Sequence, residues 1–210
     1  MKEENNKIET FERICSHFST WIIEYRSSTY KKPVFLIWYT DSDEHSTDKL
    51  LTFDTGQIFA SDALSKIKEV ITNNLKELKV QGNCKHWLDS FENLTPVENC
   101  IYHVDAISIN IKNYHLDIDT LEGLANFTNL FDDFINQDKR NEHLSIYRGN
   151  EYIDASWNYF YDSIFWARFN DAEKFKAWDR PELEIDMEKL FKGFLEMRQQ
   201  FEQKIKLVLS

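Results

Sequence analysis

Two histidine and carboxylate pairs, His103 with Asp105 and His115 with Asp117, are where residue type and spacing first suggest chemistry. On an extended segment, residues i and i+2 share a face, so each imidazole could meet its carboxylate on a metal or be oriented by it as a base. Each pair supplies only two ligands, fewer than a metal centre needs, so all four residues are read first as structural. Asp132 and Asp133 are neighbours, and neighbouring side chains on a helix point apart, which disfavours an acid/base dyad. No G-x-S-x-G elbow and no glycine-rich phosphate loop is present. Cys15, Cys84 and Cys100 are odd in number and widely spaced, which predicts reduced, buried thiols rather than disulfides or a thiolate metal site. Neither a cofactor nor enzymatic turnover is expected.

The elements that would position these residues are organised around 33–79. Residues 33–40 form a continuous apolar, β-branched run, the pattern of a strand covered on both faces. Leu50–Phe53 and Gln57–Ala60 flank Asp54-Thr55-Gly56, a hairpin loop whose glycine can take a left-handed conformation. Ser61 and Asp62 then start a helix predicted over 62–79 from Leu64, Ile67, Ile71, Leu75 and Leu78. Residues 7–26 read as an amphipathic helix, with Thr20–Tyr25 equally readable as a strand beside 33–40. A short helix is expected over 84–92. Cys100–Lys112 is read as a strand because Ile107, Ile109 and Ile111 alternate with polar residues, with a bulge near His103–Ala106.

The second half reads as helical. Asp119 and Glu122 resemble a capping box for a helix to about Gln137, whose outer face carries Asp132 and Asp133 and ends at Asp138. Arg148-Gly149-Asn150 is a turn, and eleven aromatics in the thirty-two residues from Tyr147 to Trp178 follow mostly helical spacing. Glu182–Leu209 shows a near-heptad stripe interrupted only by Lys204, and is read as one long helix. The fold class expected is α+β: an antiparallel-rich sheet with covering helices and a mostly helical C-terminal half. It is read as one domain over 1–210, with sub-lobes 1–112 and 113–210.

Charge narrows the partners. The chain carries a net charge of −11, and from Tyr114 to Asp186 sixteen acidic residues face seven basic ones. Such a region repels nucleic-acid phosphates and favours basic partners, so nucleic acid is not expected as a ligand. No run is long enough to span a bilayer and the N-terminus is unlike a signal peptide, which predicts a cytoplasmic protein without membrane association.

Leu50–Asp62 feeding an amphipathic helix, and Leu121–Ile135 with its acidic outer face, resemble immunity proteins of bacterial toxin-immunity systems, including contact-dependent growth inhibition. The resemblance implies a cytoplasmic inhibitor that binds a cognate toxin domain, often a basic nuclease, and covers its active site or substrate surface. The acidic, aromatic-rich region supplies the candidate contacts: Asp132, Asp133, Asp138, Glu142, Glu151, Tyr152, Asp154 and Trp157. Two other readings stand beside it. One is a metal-dependent enzyme using His103, Asp105, His115 and Asp117. The other is an adaptor that forms a homodimer through its C-terminal helix.

Overall fold

A computed structural model describes residues 2–42, 46–90 and 94–210. The elements in chain order are α1 (Lys2–His17), β1 (Thr20–Arg26), β2 (Val34–Asp41), β3 (Thr47–Leu50), β4 (Ile58–Ser61), α2 (Ile67–Asn73), α3 (Gly82–Ser90), β5 (Cys100–His103), α4 (Val104–Lys112) and α5 (Ile118–Asn136). They continue with α6 (Ser145–Arg148), α7 (Glu151–Phe160), α8 (Trp166–Asn170), α9 (Ala172–Ala177), α10 (Met187–Glu202) and β6 (Ile205–Val208). The sheet runs in the order β5-β1-β2-β4-β6, with β3 also paired to β2. Thus α+β is the class, with a mixed sheet: β1, β3 and β4 are antiparallel to β2, while β5 and β6 add as parallel edges.

The apolar run at 33–40 is the central strand, as its two-sided hydrophobicity predicts. Its alternate residues enter two cores. Leu36 joins Ile23, Phe127 and Phe201 on one face, and Ile37 joins Phe11, Ile71 and Trp87 on the other. Thr20–Tyr25 takes the strand reading, in register with 34–39. Gly56 closes the predicted hairpin at φ 87°, where any Cβ would be strained, and its N–H donates to Phe53 O at 2.8 Å.

Four expectations are corrected. The helix over 62–79 ends at Asn73, and Leu75 is 43% exposed. Beyond it the backbone bonds to the hairpin instead, with Lys79 N donating to Thr52 O and Asp54 N to Glu77 O, both at 2.8 Å. Residues 104–112 form a helix rather than a strand. Val104, Ile107, Ser108 and Ile111 satisfy helical spacing toward the core, whereas Ile109 is 56% exposed. The expected bulge is the strand-to-helix junction, where His103 Nδ1 accepts from Ala106 N. The start of α5 is Asp117, not Asp119: its carboxylate accepts from Thr120 N at 2.8 Å. The C-terminal helix stops at Glu202, and Ile205–Val208 pairs with β4 as an edge strand.

A polar network centred on the buried Arg198 ties the two halves together. Arg198 on α10 reaches Asp105 at 2.7 Å, Glu202 at 2.9 Å and Ser27 Oγ at 2.8 Å. Glu202 accepts from Tyr25, Ser27 and Thr29, and Asp105 accepts from Ser28 N and Oγ. The turn after β1 is therefore fastened to α4 and α10. Burial pushes the Asp105 carboxyl up, but its bonds to Ser28 and Arg198 outweigh this and hold it below the usual carboxylate range.

Candidate functional site

The surface that combines acid with aromatics is built around α5. Leu121, Leu124, Phe127, Phe131 and Phe134 face inward, because three- and four-residue spacing lines one side of a helix. The opposite stripe is polar, and its members bond to flanking elements. Glu122 pairs with Arg168 at 3.3 Å. Asn129 accepts the Trp157 indole N–H at 2.7 Å and donates to the Tyr161 hydroxyl at 2.8 Å. Asp133 accepts the Trp38 indole N–H at 2.9 Å, and Gln137 accepts from Leu50 N at 2.7 Å. Trp21 packs beside Trp38 with ring centroids 4.9 Å apart.

Electrostatically this surface is short of cations. One guanidinium, Arg148, bonds both Asp132 at 3.1 Å and Asp154, and it also lies 5.6 Å from the centroid of the Trp157 ring. Asp133 is not in any ion pair of the described residues. Burial pushes its carboxyl up to about 6; the Trp38 bond opposes this, and the charges of Asp48 and Asp132 add to it.

The eight expected contacts are dispersed by the structure. Asp132, Asp154 and Trp157 converge on Arg148, with Glu151 exposed at the start of the same α7. Asp133 is a correction: it lies partly buried under Trp38 rather than on an outer face. Asp138 is engaged too, chelating Arg140 at 2.6 Å and approaching Lys79 at 3.5 Å. The Arg140 bonds hold its carboxyl far below the usual range. Tyr152 accepts from Lys189 Nζ at 2.9 Å, and Glu142 is exposed on the 3₁₀ turn before α6.

Sequence reasoning missed Trp21, Trp38, Asp48 and the double role of Arg148. Trp38 sits in a run that reads as wholly core, and the polar edge of its indole was the available signal. It also treated the aromatic segment as one block. The chain instead leaves Trp166 50%, Phe169 74% and Trp178 42% exposed, after a π-helical turn over Tyr161–Phe165.

The histidine pairs do not assemble. His103 and His115 lie beyond opposite ends of α4, separated by roughly 13 Å of helix. His103 and Asp105 straddle the strand-to-helix junction, and each has a structural partner. His115 does meet Asp117, at 3.0 Å, on an exposed loop. Among the described residues no group of three or more His, Cys, Asp or Glu is placed to hold a metal. All three cysteines are free, and burial pushes the thiols of Cys15 and Cys100 up to about 11 and that of Cys84 to about 12. At neutral pH they are therefore thiols rather than nucleophilic thiolates. Among the described residues no helix is long and apolar enough to cross a membrane.

No family model matches this chain, and no curated protein matches it. A solved structure does. The crystal structure of the SatS C-terminal domain in complex with bromine superposes at a TM-score of 0.57, covering 92% of this chain and 96% of that one, with 9% identity. The likeness is one of fold.

Proposed function

We propose that the protein is a stoichiometric inhibitor of the immunity type, which binds a basic toxin domain in the cytoplasm through the surface between α5 and α7. The supporting observation is the shortage of internal cations there: Asp132 and Asp154 share one guanidinium. Lysines or arginines of a partner would complete this set. Charge of this kind speeds encounter with a basic surface, and amphipathic indoles such as Trp157 supply contact area at low entropic cost. The role is binding rather than turnover, and a nuclease-type domain is the partner class that an acidic inhibitor suits best.

The test is co-expression with a basic toxin domain of the nuclease type, followed by calorimetry of the purified pair. A one-to-one complex that abolishes the toxin's activity is the expected result. Full toxicity in the presence of excess inhibitor, with no heat of binding, would refute the reading.

A further inference from the structure

The arm formed by α8, α9 and the segment that follows them projects aromatics without covering them. Phe165, Trp166 and Phe169 make a ladder, with centroids 4.8 Å apart between Phe165 and Trp166 and 6.0 Å between Trp166 and Phe169. Trp178 is the shared wall of two clefts. One, of about 390 Å³, lies against Ala167, Asn170 and Phe175. The other, of about 510 Å³, lies against Tyr114, Tyr159 and Leu183. Both fall in the size range that accepts side chains of a ligand or peptide.

The charges around these clefts are unbalanced in one direction. Among the described residues, Asp171 on the smaller cleft, Asp179 and Glu182 on the larger, and Asp162 and Glu184 elsewhere on the same segment form no ion pair. Two basic residues of the same segment are paired, Arg168 with Glu122 and Lys176 with Glu173, while Arg180 lies over the Phe175 ring at 5.5 Å. Lys174 on the smaller cleft and Arg180 on the larger are in no ion pair among the described residues, which leaves two cations against five carboxylates.

We propose that this arm is the apolar anchor of the interface and docks a cationic, amphipathic segment of the partner, its apolar side chains entering the clefts beside Trp178 and its lysines or arginines meeting the unpaired carboxylates. The proposal rests on the inhibitor reading and deepens it. It places the hot spot on Trp166, Phe169 and Trp178 rather than on Trp157. Large exposed aromatics with a net negative rim are where binding energy to a cationic partner concentrates, while the rim sets partner choice.

The probes are three synthetic peptides: an amphipathic helix of Leu and Lys, the same helix with Glu in place of Lys, and a Ser/Lys peptide of equal charge. Binding to the full chain is read by titration, with circular dichroism confirming that each variant is folded. The expected result is saturable binding of the Leu/Lys peptide that weakens about tenfold or more in Trp166→Ser with Phe169→Ser, and again in Trp178→Ala. If the Leu/Lys peptide binds these variants as well as the parent, the arm is overturned while the basic-partner reading stands. If the Leu/Glu peptide binds equally well, the cationic occupant is overturned, and equal binding of the Ser/Lys peptide removes the apolar anchor. If neither cationic peptide binds, the arm proposal falls, and the toxin calorimetry alone decides the inhibitor reading. Sedimentation that shows a dimer, broken by the same arm substitutions, would assign the surface to a second copy and overturn the proposal.

Discussion

The indole N–H of Trp38, on the central strand, donates to the carboxylate of Asp133, on the longest helix, at 2.9 Å. This bond crosses from sheet to helical half, and it places a carboxyl where burial raises it from 3.8 to about 6. The folded state therefore holds a proton that the unfolded state has already released. Stability from this group is present below pH 4 and is lost as pH rises from about 4 to about 6, by on the order of 2 kcal/mol. Asp133→Asn keeps an acceptor for Trp38 and removes the titration. Urea unfolding between pH 4 and pH 7 is expected to lose that component of its pH dependence, with stability at pH 7 equal to or above the parent. An unaltered pH profile would show that Asp133 is not held this way.

Arg198→Ala is expected to be severe. It leaves Asp105 and Glu202 without the guanidinium that both use, and with Arg198 and Glu202 nearly buried but Asp105 part-exposed the loss costs about 3 kcal/mol. Arg198→Lys is expected to recover only part of this, because an ammonium cannot reach both carboxylates and Ser27 in a fixed fork. The Asp105 contribution has the opposite sign to that of Asp133: present above pH 3.8, it disappears as pH falls through its lowered folded value. Chemical denaturation of both variants tests this, and a cost below 1 kcal/mol for the alanine variant would contradict it.

The central strand and its hairpin were legible in sequence because two-sided burial and a left-handed glycine leave local marks, at 33–40 and at Gly56. Residues 104–112 were not. Ile107, Ile109 and Ile111 satisfy a period of two, and Val104, Ile107, Ser108 and Ile111 satisfy 3.6, so only tertiary packing separates the readings. The C-terminal stripe likewise continues through Ile205 and Val208, where an open sheet edge beside β4 captures the chain as a strand. At the candidate site, an acidic residue on a helix gives no sign of whether its partner is water, Arg148 or an indole. Asp132 and Asp133 are adjacent and have different answers.

His103→Ala combined with His115→Ala is expected to leave partner binding unchanged. The stability cost is about 1 kcal/mol, from loss of the cap that His103 provides to Ala106 N. Thermal melts with and without added zinc check both parts. A zinc-dependent rise in the parent that vanishes in the double variant would revive the metal-enzyme reading.

Gly193→Ala tests the seam between α10 and α7. A Cβ there would meet Asn150 Nδ2 at 2.8 Å, and Asn150 caps α7 through Tyr152 N and Ile153 N. Alanine normally favours a helix by about 1 kcal/mol, yet displacement of this cap is expected to reverse the sign to a net loss of about 1 kcal/mol. An increase in the unfolding midpoint would contradict it.

The association rate with a basic toxin domain tests the inhibitor reading most directly. Asp133 and Asp138 are internally bonded, so reversing them would disturb the fold. Glu142 and Glu151 are exposed and in no ion pair among the described residues, so their reversal is expected to leave the fold intact. Rates measured by stopped flow at low and high salt, for the parent and for Glu142→Lys with Glu151→Lys, are expected to fall steeply with ionic strength in the parent. In the variant they are expected to start several-fold lower and depend less on salt, because these charges act over about 8–10 Å. An association rate indifferent to both salt and charge reversal would contradict the acidic-surface mechanism.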